Sequence, residues 1–133
     1  MNTSWAEEWA ANFADLDKLM DMYADDAQFE DIIIAHKESG KAALAKFFAA
    51  AGNPAYAENT FTAVSYCGNA DGGAVEWLWQ AKHHAGKILG VPSKGKETSA
   101  RGVSILTFKN GKIATQHDYW DAAAVLRQLE AIK

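Results

Sequence analysis

Residues 99–120 read SARGVSILTFKNGKIATQHDYW, two runs of β-forming residues on either side of Asn110-Gly111. An Asn-Gly pair between alternating apolar residues signals a hairpin, because both residues tolerate the left-handed backbone of a tight turn. The stretch predicts a strand from Ser99 to Phe108 and another from Lys112 to Trp120. A second pair precedes it: Thr60 to Tyr66, the turn signal Asp71-Gly72-Gly73, and Ala74 to His84. Two consecutive hairpins make the sheet largely antiparallel. Inside the last strand stands Asp118, a carboxylate among aromatic residues, where burial costs free energy unless the group is paired or protonated.

Working back toward the N-terminus, the period changes from two to helical. Ser4 and Glu7 have capping-box spacing ahead of Trp5, Trp9 and Phe13, which predicts a helix over Trp5 to Ala14. Asp15 caps a second short helix with Leu16, Leu19, Met20 and Tyr23 on one face. Asp25-Asp26 ends that pattern, Ala27 to Ile34 reads as a strand, and His36 falls in a loop. Ser39 caps a third helix burying Leu44, Phe47 and Phe48, and Gly52-Asn53-Pro54 stops it. Asp121 caps a last helix with Val125, Leu126, Leu129 and Ile132 on its apolar face. Helices gathered before an antiparallel sheet define an α+β fold, and residues 1–133 read as one domain.

Composition narrows the function classes. The net charge of −4 argues against a nucleic-acid partner, which needs clustered Lys and Arg on one face. The stretch Lys82 to Lys96 is broken by Gly86, Gly90, Pro92 and Gly95 and reads as a loop. Cys67 is the only cysteine, no signal peptide is visible, and no apolar run approaches a membrane span. A cytoplasmic protein with no membrane partner is expected. His83 and His84 point to opposite faces of a strand, so they make a poor metal pair; neither a metal nor an organic cofactor is expected.

Alternation places Val75, Trp77, Trp79, Ala81 and His83 on one strand face, and Ala114, Gln116, Asp118 and Trp120 on one face of another. The turn decides what lies across from Asp118. A two-residue Asn110-Gly111 loop sets Val103 opposite Asp118 and Arg101 opposite Trp120. A three-residue loop places Gly102 opposite Asp118 and Ser104 opposite Gln116. The first register gives the acid an arginine neighbour that holds it ionised; the second gives it small, weakly polar neighbours.

The stretch from Tyr23 through Phe29-Glu30-Asp31, with Ser39-Gly40-Lys41 opening a helix that carries Phe47-Phe48, resembles the nuclear transport factor 2-like superfamily. Ser104 through Phe108 and Asp118-Tyr119-Trp120-Asp121 support the same match. Within it the chain is most similar to the ketosteroid isomerases and SnoaL-like polyketide cyclases. The resemblance implies a cone-shaped α+β barrel, a curved sheet wrapped around the N-terminal helices with a deep apolar pocket. It implies the second register, with Gly102, Ser104, Gln116, Asp118 and Trp120 facing that pocket. Asp31 resembles the proton-shuttling aspartate of ketosteroid isomerase, and Asp118 the last-strand acid/base aspartate of the cyclases. The oxyanion-hole donors of the isomerases would fall at Ser104 and near Trp9 or Glu7, where neither is kept. Losing each costs about 3–4 kcal/mol of transition-state stabilisation, so steroid isomerisation is disfavoured. Epoxide hydrolysis is disfavoured because Val103 stands where a further aspartate is needed.

The expected catalytic residues are therefore Asp118 and Asp31, with Trp9, Trp77, Trp79, His83, Ser104, Gln116 and Trp120 contacting a small apolar molecule. The expected chemistry is acid/base isomerisation, cyclisation or elimination on a carbonyl-bearing or cyclic substrate. The competing readings make Asp31 a strand-end carboxylate held by backbone amides, the tryptophans plain core, and the domain a non-catalytic binding or interaction module. Val103, Ile105, Ile113 and Tyr119 form an apolar outer face, expected to pair two copies of the chain into a homodimer.

Overall fold

Asn110 and Gly111 both adopt positive φ, 53° and 76°, and Lys109 pairs with Lys112, so the tight two-residue turn forms. The computed structural model describes residues 2–133. Among them the strands are β1 (Tyr23–Asp31), β2 (His36–Ser39), β3 (Glu58–Gly68), β4 (Gly72–Lys82), β5 (Lys87–Ile88), β6 (Val91–Pro92), β7 (Thr98–Lys109) and β8 (Lys112–Trp120). The helices are α1 (Thr3–Ala11), α2 (Leu16–Met20), α3 (Lys41–Ala51) and α4 (Ala122–Gln128), with a 3-10 turn at Asn12–Ala14. Six strands form one curved, unclosed sheet in the order β2-β1-β8-β7-β4-β3, while β5 and β6 pair separately. Only β1 and β8 run parallel; every other pairing is antiparallel. The fold is α+β, as expected.

Neither predicted register of the last hairpin forms. Beyond the turn, β8 bulges at Ala114: Phe108 pairs with Ile113, but Thr107 pairs with Thr115. The extra residue slides the rest of β8 so that Ser104 faces Asp118 and Gly102 faces Trp120. Because this register differs from the three-residue-loop register by two, the same side chains still share the inner face. Before the bulge the alternation is inverted, which is why Ile113, expected on the outer face, is fully buried.

Other boundaries moved for local reasons. Tyr23, assigned to a helix face, opens β1 and is buried in phase with Ala27 and Phe29. Asp25 and Asp26 are exposed within that strand rather than ending an element. His36 lies in β2, not a loop. The α1 cap is Asn2, whose side chain accepts from the Trp5 amide, and not Ser4. Gly40 at φ 90°, rather than Ser39, precedes α3. Helix α4 stops at Gln128, leaving Ile132 exposed.

The core fills the concave side of the sheet. Trp9, Leu19, Tyr23, Phe29, Leu44, Val75, Trp77, Leu106 and Ile113 are buried there, and Val125 and Leu129 of α4 pack with Ile88 and Ala100 at one end. Gly102 lies under the Trp77 ring; a Cβ there would meet that ring at 2.4 Å. A glycine is required because the indole crosses the β7 backbone. Gly102→Ala is expected to displace Trp77 and cost about 1–3 kcal/mol, read as a lower denaturant midpoint with an unchanged slope.

Candidate functional site

A cavity of about 650 Å³ opens between the helices and the concave sheet face. Its floor includes Trp9, Leu19, Trp77, Ser104 and Asp118; its walls are mostly aromatic, including Phe13, Phe29, Phe47, Phe48 and Phe61. Asp31, Trp79 and Trp120 also line it, so the tryptophans do not fill the interior. The two aspartates are register partners on the parallel strands β1 and β8 and reach the same cavity.

Hydrogen bonding assigns each oxygen of Asp118 a different task. Oδ1 accepts from Ser104 Oγ at 2.6 Å and from Gln116 Nε2 at 2.9 Å. Ser104 in turn accepts from the Trp77 indole at 3.0 Å. Gln116 Oε1 accepts from Tyr23 at 2.5 Å, and the Tyr23 oxygen accepts from the Trp9 indole at 3.1 Å. Both arms end in indole N–H groups, which can only donate. Ser104 therefore spends its one proton on Oδ1 and Gln116 presents an amide N–H there, so Oδ1 is left without room for a proton of its own. A neutral Asp118 must carry its proton on Oδ2, which has no protein partner among the described residues.

Electrostatics favour that neutral form over a wide range. Burial raises the Asp118 carboxyl to about 7, the bonds from Ser104 and Gln116 pull it back, and the nearby Asp31 carboxylate adds to the rise. Among the described residues no cation offsets it: Arg101 instead donates to Glu76 at 2.8 Å, away from the cavity. Burial also pushes the Tyr23 phenol well above its ordinary value, so Tyr23 stays a neutral donor.

Asp31 is held differently. Its Oδ1 accepts from the Ile33 and Ile34 amides at 3.0 and 3.3 Å, and the Trp120 indole bridges both oxygens at 3.1 and 3.0 Å. Those contacts match the strand-end carboxylate weighed from sequence. They also fix Trp120 in the wall, so the cavity places Asp31 beside Asp118 as a charged neighbour.

One expectation needs correction. His83 does not face the cavity: β4 ends at Lys82, and His83 turns left-handed at φ 55° and is exposed. The reversal brings His84 to the cavity wall in its place. Trp9 lines the floor but spends its indole proton on Tyr23, so its ring, not its N–H, meets the cavity. Tyr23 itself was missed; its signal was the odd-numbered alternation with Ala27 and Phe29, masked by Asp25-Asp26.

The family profile of the SnoaL-like polyketide cyclases matches residues 1–129. The chain belongs to this family. No curated protein matches it. Among solved structures, a protein of Shewanella denitrificans described as SnoaL-like aligns with a TM-score of 0.80 and 19% identity, covering 97% of this chain and 96% of that one. A Catenulispora acidiphila protein with a ketosteroid isomerase-like fold aligns at 0.77 and 19% identity, covering 98% and 95%. TsrD from Streptomyces laurentii aligns at 0.77 and 19% identity, covering 97% and 92%. At such identities the likeness establishes the fold. No helix among the described residues is long and apolar enough to cross a membrane.

A carboxyl raised on folding makes this SnoaL-like domain most stable where the acid is neutral in both states. Below about pH 4 Asp118 contributes nothing; between pH 4 and 7 the unfolded chain loses its proton while the folded chain keeps it, and stability falls. The loss reaches on the order of 4 kcal/mol by pH 8. Asp118→Asn keeps an acceptor for Ser104 and Gln116 and cannot ionise. The variant should match the parent at pH 4 and exceed it by a few kcal/mol at pH 8 in denaturant unfolding.

Proposed function

We propose that this SnoaL-like protein is a cytoplasmic, cofactor-independent enzyme that moves a proton on a carbon next to a carbonyl in a largely apolar, cyclic substrate. Asp118 is the acid/base: as carboxylate it takes the proton onto Oδ2, and as the neutral acid it returns a proton to carbon or oxygen. The enolate formed between those steps can isomerise, close a ring on a second carbonyl, or expel a leaving group. Asp31 acts as a positioning residue that keeps Trp120 in the wall and holds the Asp118 carboxyl high. The observation that carries this reading is an acid raised to about 7, without a cationic partner, whose unpartnered oxygen borders an aromatic cavity.

The Ser104 proton is already committed to Asp118, so Ser104 does not supply the second oxyanion donor a steroid dienolate needs. That is consistent with a substrate other than a 3-ketosteroid.

Deuterium exchange at C1 of 2-tetralone, followed by NMR, tests the proposal. The protein should accelerate exchange with a rate rising through about pH 7, and Asp118→Asn should lower it by about 10²–10⁴-fold. Asp31→Asn removes the charge that raises Asp118, so the midpoint should fall; Ser104→Ala removes a bond that lowers it, so the midpoint should rise. Binding of 2-tetralone with no exchange above buffer would replace the enzyme by a ligand-binding module.

We further propose a homodimer through the outer sheet face, supported by Ile105 and Tyr119 at 44% and 43% exposure and Val64 at 51%. Sedimentation should give twice the chain mass at micromolar concentration, and Ile105→Lys should shift it to the monomer.

A further inference from the structure

Two proton-counting constraints fix the hydrogen-bonding state of His84 and Asn59, which both line the cavity. The hydroxyl of the fully buried Ser93 lies 2.6 Å from the His84 carbonyl and 2.9 Å from the Gly86 carbonyl. Two oxygens that close need a proton between them, and a carbonyl brings none, so the single Ser93 proton is spent there. The same Oγ lies 3.1 Å from His84 Nδ1. That contact is a hydrogen bond only if Nδ1 carries the hydrogen. Neutral His84 is thus held as the Nδ1–H tautomer, and its Nε2 is an acceptor with no protein partner among the described residues.

Asn59 is fixed by the same kind of argument. The Trp79 indole, a donor only, lies 3.0 Å from Asn59 Oδ1, which settles which way the amide faces. The Nδ2 hydrogens are left without a protein acceptor among the described residues. Asn59 pairs with Ala81 across β3 and β4, and His84 follows just beyond the end of β4. The backbone there is tied back by the Ala85 amide donating to the Tyr56 carbonyl at 2.7 Å. Both residues line the cavity together with the exposed Ala51, Pro54 and Glu58, whereas Trp9, Ser104 and Asp118 lie at its floor.

We propose that His84 and Asn59 form a recognition subsite at the cavity mouth for a hydroxylated edge of the substrate, remote from the carbon that Asp118 deprotonates. A hydroxyl there donates to His84 Nε2, and an oxygen on the same edge accepts from Asn59 Nδ2. The substrate class becomes an elongated, largely apolar carbonyl compound with a distal hydroxyl. The assignment of ends rests on the reading of Asp118 as the proton-transferring group.

The test compares 6-hydroxy-2-tetralone with 2-tetralone, binding being read by tryptophan fluorescence. The parent should bind the hydroxylated probe about tenfold tighter, the scale of one buried hydrogen bond. His84→Leu should abolish that advantage, Asn59→Leu should reduce it, and His84→Gln, which keeps an acceptor, should retain part. Equal affinities in the parent, or an advantage that survives both leucine variants, would overturn the subsite. Asp118→Asn separates the two readings: it should lose exchange and keep the affinity gap. Exchange surviving in Asp118→Asn would sink the proton-transfer reading while the gap still decides the subsite.

Discussion

The bulge at Ala114 sets the register on which the site depends. A two-residue turn carried straight into a regular ladder would put Val103 opposite Asp118 and Arg101 opposite Trp120. One extra residue in β8 instead brings Ser104 to Asp118, keeps Gln116 on the same face, and leaves Arg101 outside with Glu76. An acid beside a guanidinium would be held ionised; an acid beside a serine hydroxyl in an aromatic cavity is not. A single backbone irregularity therefore separates a structural carboxylate from one that can change its protonation state. Bulges next to sites commonly re-aim side chains in this way.

Around that register, packing and polarity support each other. The Trp77 ring lies over Gly102, and its indole N–H reaches Ser104 two residues along the same strand. Ser104 is then left with one proton and one destination for it. On the other arm Trp9, at 2% exposure, orients Tyr23, which orients Gln116. Aromatic residues of the core also supply the terminal donors. Core and site cannot be mutated independently here, because a core tryptophan is also the last link of a proton-ordering chain.

The order of the helices and of the five longer strands was legible in the sequence because it rests on local chemistry: the Asn-Gly turn, the Asp15 and Asp121 caps, and period-two alternation. The short strands β2, β5 and β6, read as loop, were not. That Ser104, Gln116, Asp118 and Trp120 share the inner face came from the family resemblance, because the two registers open to the sequence differ by one residue and put opposite sides of β7 beside Asp118. The register itself was not legible. No residue at 113–115 signals a bulge by type; it shows only in the pairing of β8, whose register shifts there against both β1 and β7. His84 was hidden for a related reason. Strand alternation carried to the end of the apolar run favours His83, and only the left-handed turn at that residue reverses the choice. Tyr23 was lost to two adjacent aspartates that look like a helix terminus but sit exposed in a strand.

The ordering of donors bears directly on how the acid can work. Oδ1 accepts the same two hydrogen bonds whether Asp118 is charged or neutral, because Ser104 has a single proton and the Gln116 amide is held in place by Tyr23 donating to its Oε1. Protonation then alters a single atom, Oδ2, and leaves the surrounding dipoles where they are. Sites that need no reorganisation during charge transfer lower barriers more than sites that must repolarise. The cost is a carboxylate whose charge is opposed by burial and by Asp31, offset in part by the two donors on Oδ1. In the reaction proposed for it, that balance near neutral pH would let one side chain both remove a proton and give it back.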